Sequence, residues 1–158
     1  MSADPSPAAD PATTPARASP WPVSGWTGIG DAIVLAVGTF LPWVEVTAGP
    51  LSITRNGLDT GDGKVMLFLA VVGAAFALLG IVGKRLLPCY LLLAVGLIAI
   101  VVSAYDISDV QTTGDDLGLG DLIQADAGIG LWICLVGGIG MATSGVLAFV
   151  LDRPRAPR

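Results

Sequence analysis

Apolar positions along the 158-residue chain gather into four long stretches separated by short polar segments. They are Trp26 to Val46, Val65 to Gly83, Leu86 to Tyr105 and Gly128 to Leu151. Each approaches or exceeds the roughly 20 helical residues that cross about 30 Å of hydrocarbon. The last three carry no charged side chain, whereas the first contains Asp31, Pro42 and Glu45. Pro88 falls in the first turn of the third stretch, where a missing N–H costs little. The pattern predicts an all-α membrane protein, a four-transmembrane-helix bundle over residues 26–152. Only Lys84-Arg85 separates the second and third stretches, which makes that pair a tight antiparallel hairpin.

The polar segments carry patterns of their own. After the first stretch, Val44, Val46, Leu51 and Ile53 alternate with Glu45, Thr47, Ser52 and Thr54 around Gly49-Pro50. That is the signature of two short strands joined by a turn, a small β-hairpin-like extracellular first loop resting on the bundle. Asn56-Gly57 and Gly61-Asp62-Gly63 then supply turn residues. The segment from Asp106 to Asp126 reads as a loop with six aspartates, Asp106, Asp109, Asp115, Asp116, Asp121 and Asp126, and no Lys or Arg. Its Leu117, Leu119, Leu122 and Ile123 suggest a short amphipathic segment. The six acids form either a solvated face or a partner-facing surface for a basic protein or a divalent cation, although the spacing lacks the alternating ligands of an EF-hand loop. Residues 1–25, with six of the eleven prolines, read as a disordered cytoplasmic tail, and residues 153–158 as a basic cytoplasmic C-terminus.

Composition then narrows the chemistry. Charged residues make up 13% of the chain and hydrophobic ones 53%, against roughly 25% charged in an ordinary soluble domain. The chain has no His, which removes the commonest general base and most zinc, haem and non-haem iron sites. A net charge of −5 with eight basic residues argues against nucleic acid. No phosphate-binding loop or dinucleotide fingerprint survives inspection, so no catalytic, cofactor-binding or metal residue is assigned.

The few charges are sorted by position. The tail, the Lys84-Arg85 turn and the C-terminus hold six of the eight Lys and Arg. The other two connections, taken with Glu45 at the end of the first stretch, hold Arg55 and Lys64 beside nine acids. The positive-inside rule therefore predicts a multi-pass protein of the cytoplasmic membrane with both termini cytoplasmic. Trp21, Trp26 and Tyr90 fall near the predicted inner interface, and Trp43 and Tyr105 near the outer one, where aromatic belts sit.

Asp31 is the candidate functional intramembrane acid. One reading is structural: it favours the positive helix N-terminus or pairs with Lys84 or Arg85. The other is proton or ion movement. Thr39, Ser103, Thr143 and Ser144 are expected to bond to their own helix backbones. Small residues at spacing four, Ala32 and Ala36, Gly73 and Ala77, Ala99 and Ser103, Gly138 and Ala142, Gly140 and Ser144, suit close helix packing within the bundle or between copies. Cys89 and Cys134 differ in predicted depth by roughly 15 Å, whereas a disulfide needs Cα atoms within about 7 Å. Both are expected to be free.

Leu41-Pro42-Trp43-Val44, the hairpin-like loop and Asn56-Gly57-Leu58-Asp59-Thr60-Gly61-Asp62-Gly63-Lys64 resemble small four-span membrane proteins of actinobacteria, a group with no assigned activity, over residues 26–152. The topology is also similar to that of claudin-like four-span proteins, by fold-level analogy only, since no residue carries over. The expectation is a non-enzymatic accessory or scaffold subunit that meets lipid, other membrane proteins or further copies of itself, through its outer loops and helix faces. A small transporter or channel subunit using Asp31 stands second, and a membrane-embedded lipid or quinone enzyme third.

Overall fold

A computed structural model describes residues 21–48, 51–83, 86–116 and 124–151. Among the described residues the chain is mostly helical, with four α-helices: α1, Trp21–Phe40; α2, Gly61–Gly83; α3, Leu86–Asp116; and α4, Ile129–Leu151. Three strands, β1 (Pro42–Ala48), β2 (Leu51–Asn56) and β3 (Gln124–Ala127), form one antiparallel sheet in the order β2-β1-β3. Three helices are long and apolar enough to cross a membrane, over Gly61–Val82, Leu87–Val110 and Ile129–Val150. α1, 20 residues long, carries Asp31 at its middle.

α1 packs on α2, α2 on α3, α3 on α4, and α4 closes back on α1. The interior is built from small and hydroxyl-bearing residues around a few large ones: Leu35, Met66, Leu131 and Met141 are fully buried, and so are Thr39, Ser103 and Cys134. The outward faces are aliphatic and aromatic, with Ile33 and Phe40 of α1, Phe68 and Val82 of α2, Val101 of α3 and Val136 of α4 all exposed. Apolar exteriors on every helix invert the usual water-soluble arrangement. Glycines permit the closest approaches. A Cβ on Gly96 would lie 2.5 Å from the backbone nitrogen of Ala142, so α3 and α4 touch there backbone to backbone. The Gly138 pair of the sequence pattern is likewise used inside the bundle, against Ala99 and Ile100.

Several boundaries differ from the pattern. The first apolar stretch is two elements, because the helix stops at Phe40 and the chain enters β1 at Pro42. Pro42 has no N–H to continue the ladder, so the carbonyl of Gly38 is left without its i+4 donor. The indole Nε1 of Trp43 donates to that carbonyl at 3.0 Å. A shift in the β1–β2 register between Pro42 and Val44 lets this happen, since Pro42 pairs with Asn56 and Val44 with Arg55. The extra residue of this bulge is turned out of the ladder, and Trp43 is 2% exposed. Trp43 is thus a core plug rather than a member of an aromatic belt; Trp26, Tyr90 and Tyr105 are exposed as a belt requires. At its start α1 reaches Trp21, five residues ahead of the apolar stretch, because Pro22 suits the first turn of a helix.

The acidic loop is also two elements. α3 runs 31 residues, about 46 Å at 1.5 Å per residue, so Asp106, Asp109, Asp115 and Asp116 lie on a helix. Asp126 lies in β3, which the sequence pattern did not show and which pairs with β1. Four residues with two alanines and two polar side chains are too short a run to register as a strand. Asp121 and the segment Leu117, Leu119, Leu122 and Ile123 lie outside the described residues, as do Lys84, Arg85, residues 1–20 and residues 152–158.

Candidate functional site

Polar side chains in the helices fall into two groups. The first joins α1 to α4. Asp31 is the eleventh residue of α1, about 15 Å from either end of the helix. A helix dipole acts only within the first turn, so the reading of Asp31 as an N-terminal acid does not hold. The hydroxyl of Ser144 donates to Asp31 Oδ2 at 2.8 Å, with Thr27 Oγ1 3.1 Å from the same hydroxyl. Thr27 in turn donates to the carbonyl of Ser24 at 3.0 Å. Opposite the carboxylate stands Gly140, where any Cβ would collide with Asp31 Oδ1. The small-residue pair Gly140 and Ser144 therefore serves one purpose here: the glycine makes room for the acid and the serine holds it.

Asp31 is half-buried at this seam. Among the described residues it takes a single hydrogen bond. Around it, Thr27, Gly30 and Thr143 are exposed. Thr143 donates to the carbonyl of Ile139 and Thr39 to that of Ala36, as expected for hydroxyls in helices. Ser144 departs from that expectation by reaching across to α1.

The second group lies at the sheet end, between α2 and α3. The carboxyls of Asp106 and Asp62 stand close to each other, with Asp109 nearby. Beneath, on the same face of α3 one turn away, Ser103 is fully buried. Neither Ser103 Oγ nor Asp106 Oδ2 has a hydrogen-bond partner among the described residues. α2 and α3 form an antiparallel hairpin, and Asp62 and Asp106 stand almost equally far from the Lys84-Arg85 turn. That equal distance was the available signal for the pair, which sequence reading had divided between two loops.

Thr60 Oγ1 accepts from the N–H of Gly63 at 3.1 Å and caps α2 beside this group. Cys134 Sγ contacts the Leu35 carbonyl at 3.6 Å. Cys89 and Cys134 are both buried and form no disulfide. Among the described residues no group of three or more His, Cys, Asp or Glu could hold a metal ion. A cleft between α3 and α4, lined by Cys89, Tyr90, Leu93, Gly145, Val146 and Phe149, is apolar throughout. The two polar groups thus stand apart, one at mid-helix on the α1–α4 seam and one at the sheet end.

The sheet carries the third feature. Directly opposed residues in an antiparallel pair share a face, so Val44, Val46, Ala48, Leu51, Ile53 and Arg55 lie on one side of β1 and β2. Val44 and Ala127 pack against the bundle core on that side. Beyond them β2 overhangs: Leu51 is 70% exposed and Ile53 67% exposed. On the other face Glu45 stands directly opposite Asp126, both exposed.

Compared with known proteins, the chain matches no protein-family profile and no curated protein.

Proposed function

We propose that the chain is a four-span protein of the cytoplasmic membrane, with both termini cytoplasmic and the sheet outside, and that it acts without catalysis as an accessory or scaffold subunit. The observation that carries this reading is β2. It is an edge strand exposed along its whole length, with unpaired backbone groups and two large aliphatic side chains in the open. Natural sheets cover, charge or shorten such edges unless another chain pairs with them, and strand addition to an edge is a common mode of recognition. The apolar outer faces of all four helices support the membrane placement. The separation of the polar groups favours contacts over a transport path or an enzyme pocket, each of which needs polar atoms to converge.

A photoreactive residue at position 53, activated in living cells, tests the reading. The expected result is one discrete protein adduct, abolished when Thr54→Pro removes a backbone donor from the strand. Adducts with lipid alone, or a diffuse smear unaffected by the proline, would reject it. A small transport subunit remains the second reading, favoured by the row of oxygens from Thr27, Asp31 and Ser144. It requires an ion or proton flux in proteoliposomes that Asp31→Asn abolishes.

A further inference from the structure

An acid half-exposed at the middle of a membrane helix is costly unless a counter-charge or further donors meet it. Asp31 has one hydroxyl donor and an open side. Among the described residues no cation lies at that depth: Arg55 is in β2 and Lys64 at the start of α2. The chain's basic residues are Arg17, Arg55, Lys64, Lys84, Arg85, Arg153, Arg155 and Arg158, all outside the apolar interiors of the four stretches. A second copy brings the same deficit. Beside Asp31, Gly30 is exposed, and a Cβ there would meet nothing within 4 Å. Glycine inside a helix costs about 0.5–1 kcal/mol relative to alanine, and packing within this bundle does not explain it. What it provides is a flat ridge on the outer surface of α1, where another backbone can come close.

The geometry points to the α1–α4 seam at Asp31, Gly30 and Thr27 as the docking site for a transmembrane helix of another protein that carries a Lys or Arg at mid-depth. Asp31 provides the counter-charge, Gly30 the close approach, and Ser144 holds the carboxylate in place. Charge complementarity selects this occupant over a second copy, whose described residues offer only another aspartate at that depth. The site lies on the helices, separate from the β2 edge, and it rests on α1 crossing the bilayer.

The test uses the full chain, labelled at its C-terminus and reconstituted in phosphatidylethanolamine–phosphatidylglycerol nanodiscs. Labelled oligoleucine helices bearing one central Lys, Asn or Leu serve as probes, read by energy transfer. Wild type is expected to bind the Lys helix about tenfold more tightly than the Leu helix, a difference near 1.4 kcal/mol. Asp31→Asn, which keeps the side-chain shape and the Ser144 contact, is expected to remove that preference. Gly30→Leu, which fills only open space, should block binding with helicity unchanged by circular dichroism. Thr54→Pro should leave Lys-helix binding intact even where it disrupts sheet contacts, so failure of the edge reading and of this one are distinguishable. Equal binding of Lys and Leu helices by wild type, or an Asp31→Asn protein that binds as well, would overturn the proposal. So would self-association that competes out the Lys helix, or an N-terminal tag showing that α1 does not cross.

Discussion

The Ser144 hydroxyl donates to Asp31 Oδ2 across 2.8 Å and ties the last helix to the first. The bond spans 113 residues of sequence, and it closes the ring of four helices. Ser144→Ala removes the donor while preserving helix propensity. The expected loss is about 1 kcal/mol, between the values for hydrogen bonds to charged groups in water and for interhelical bonds in membranes. Reversible unfolding in mixed micelles would measure it. An unchanged stability would mean that lipid or water replaces the bond without loss.

Backbone contact between α3 and α4 at Gly96 sets up a comparison between two glycines. Gly96→Val pushes a side chain into the backbone of Ala142 and is expected to cost at least about 2 kcal/mol, as overpacked cores do. Gly30→Ala meets nothing and is expected to raise stability by about 0.5–1 kcal/mol through helix propensity alone. Thermal unfolding in detergent reads both. Similar effects from the two would contradict the packing described.

Trp43 completes the end of α1 by answering the carbonyl that Pro42 leaves open. Trp43→Phe keeps the ring in the plug but leaves that buried carbonyl with only the longer bond from the Leu41 N–H, at an expected cost of about 1 kcal/mol. The same variant should remove a blue-shifted component from the fluorescence spectrum, since the indole is buried. A Phe variant as stable as wild type would show that Leu41, whose N–H lies 3.4 Å from the same carbonyl, suffices.

Cys89 and Cys134 stand on α3 and α4 as buried thiols outside any disulfide. Oxidant treatment of the folded protein should leave its mobility unchanged on non-reducing gels. A maleimide should label neither cysteine until denaturant is added. Rapid labelling of Cys134 in the folded state would contradict its complete burial.

Much of this arrangement was legible from hydrophobic patterning. The three uncharged stretches became α2, α3 and α4, the two-residue turn implied the α2–α3 hairpin, and the alternation around Gly49-Pro50 became β1 and β2. Patterning failed where an apolar run crossed from one backbone conformation to another. Val44 and Val46 are as hydrophobic in a strand as in a helix, so only Pro42 marked the change. It failed again past Tyr105, where α3 continues through polar residues that carry no apolar period. Asp31 stood out in sequence as the one acid deep in a span. Its partner did not, because hydroxyls in helices usually serve their own backbone, and only the packing of α4 on α1 brings Ser144 across.

The central claim, that the protein works through contacts made at its exposed sheet edge, is tested most directly by its size in native membranes. After gentle solubilisation, blue-native electrophoresis should show the chain in a discrete complex with another protein, much larger than one 158-residue protomer. Thr54→Pro should release it to the protomer size with the helical spectrum unchanged. A chain that runs as an isolated protomer from native membranes, and does so with or without the proline, would contradict the account.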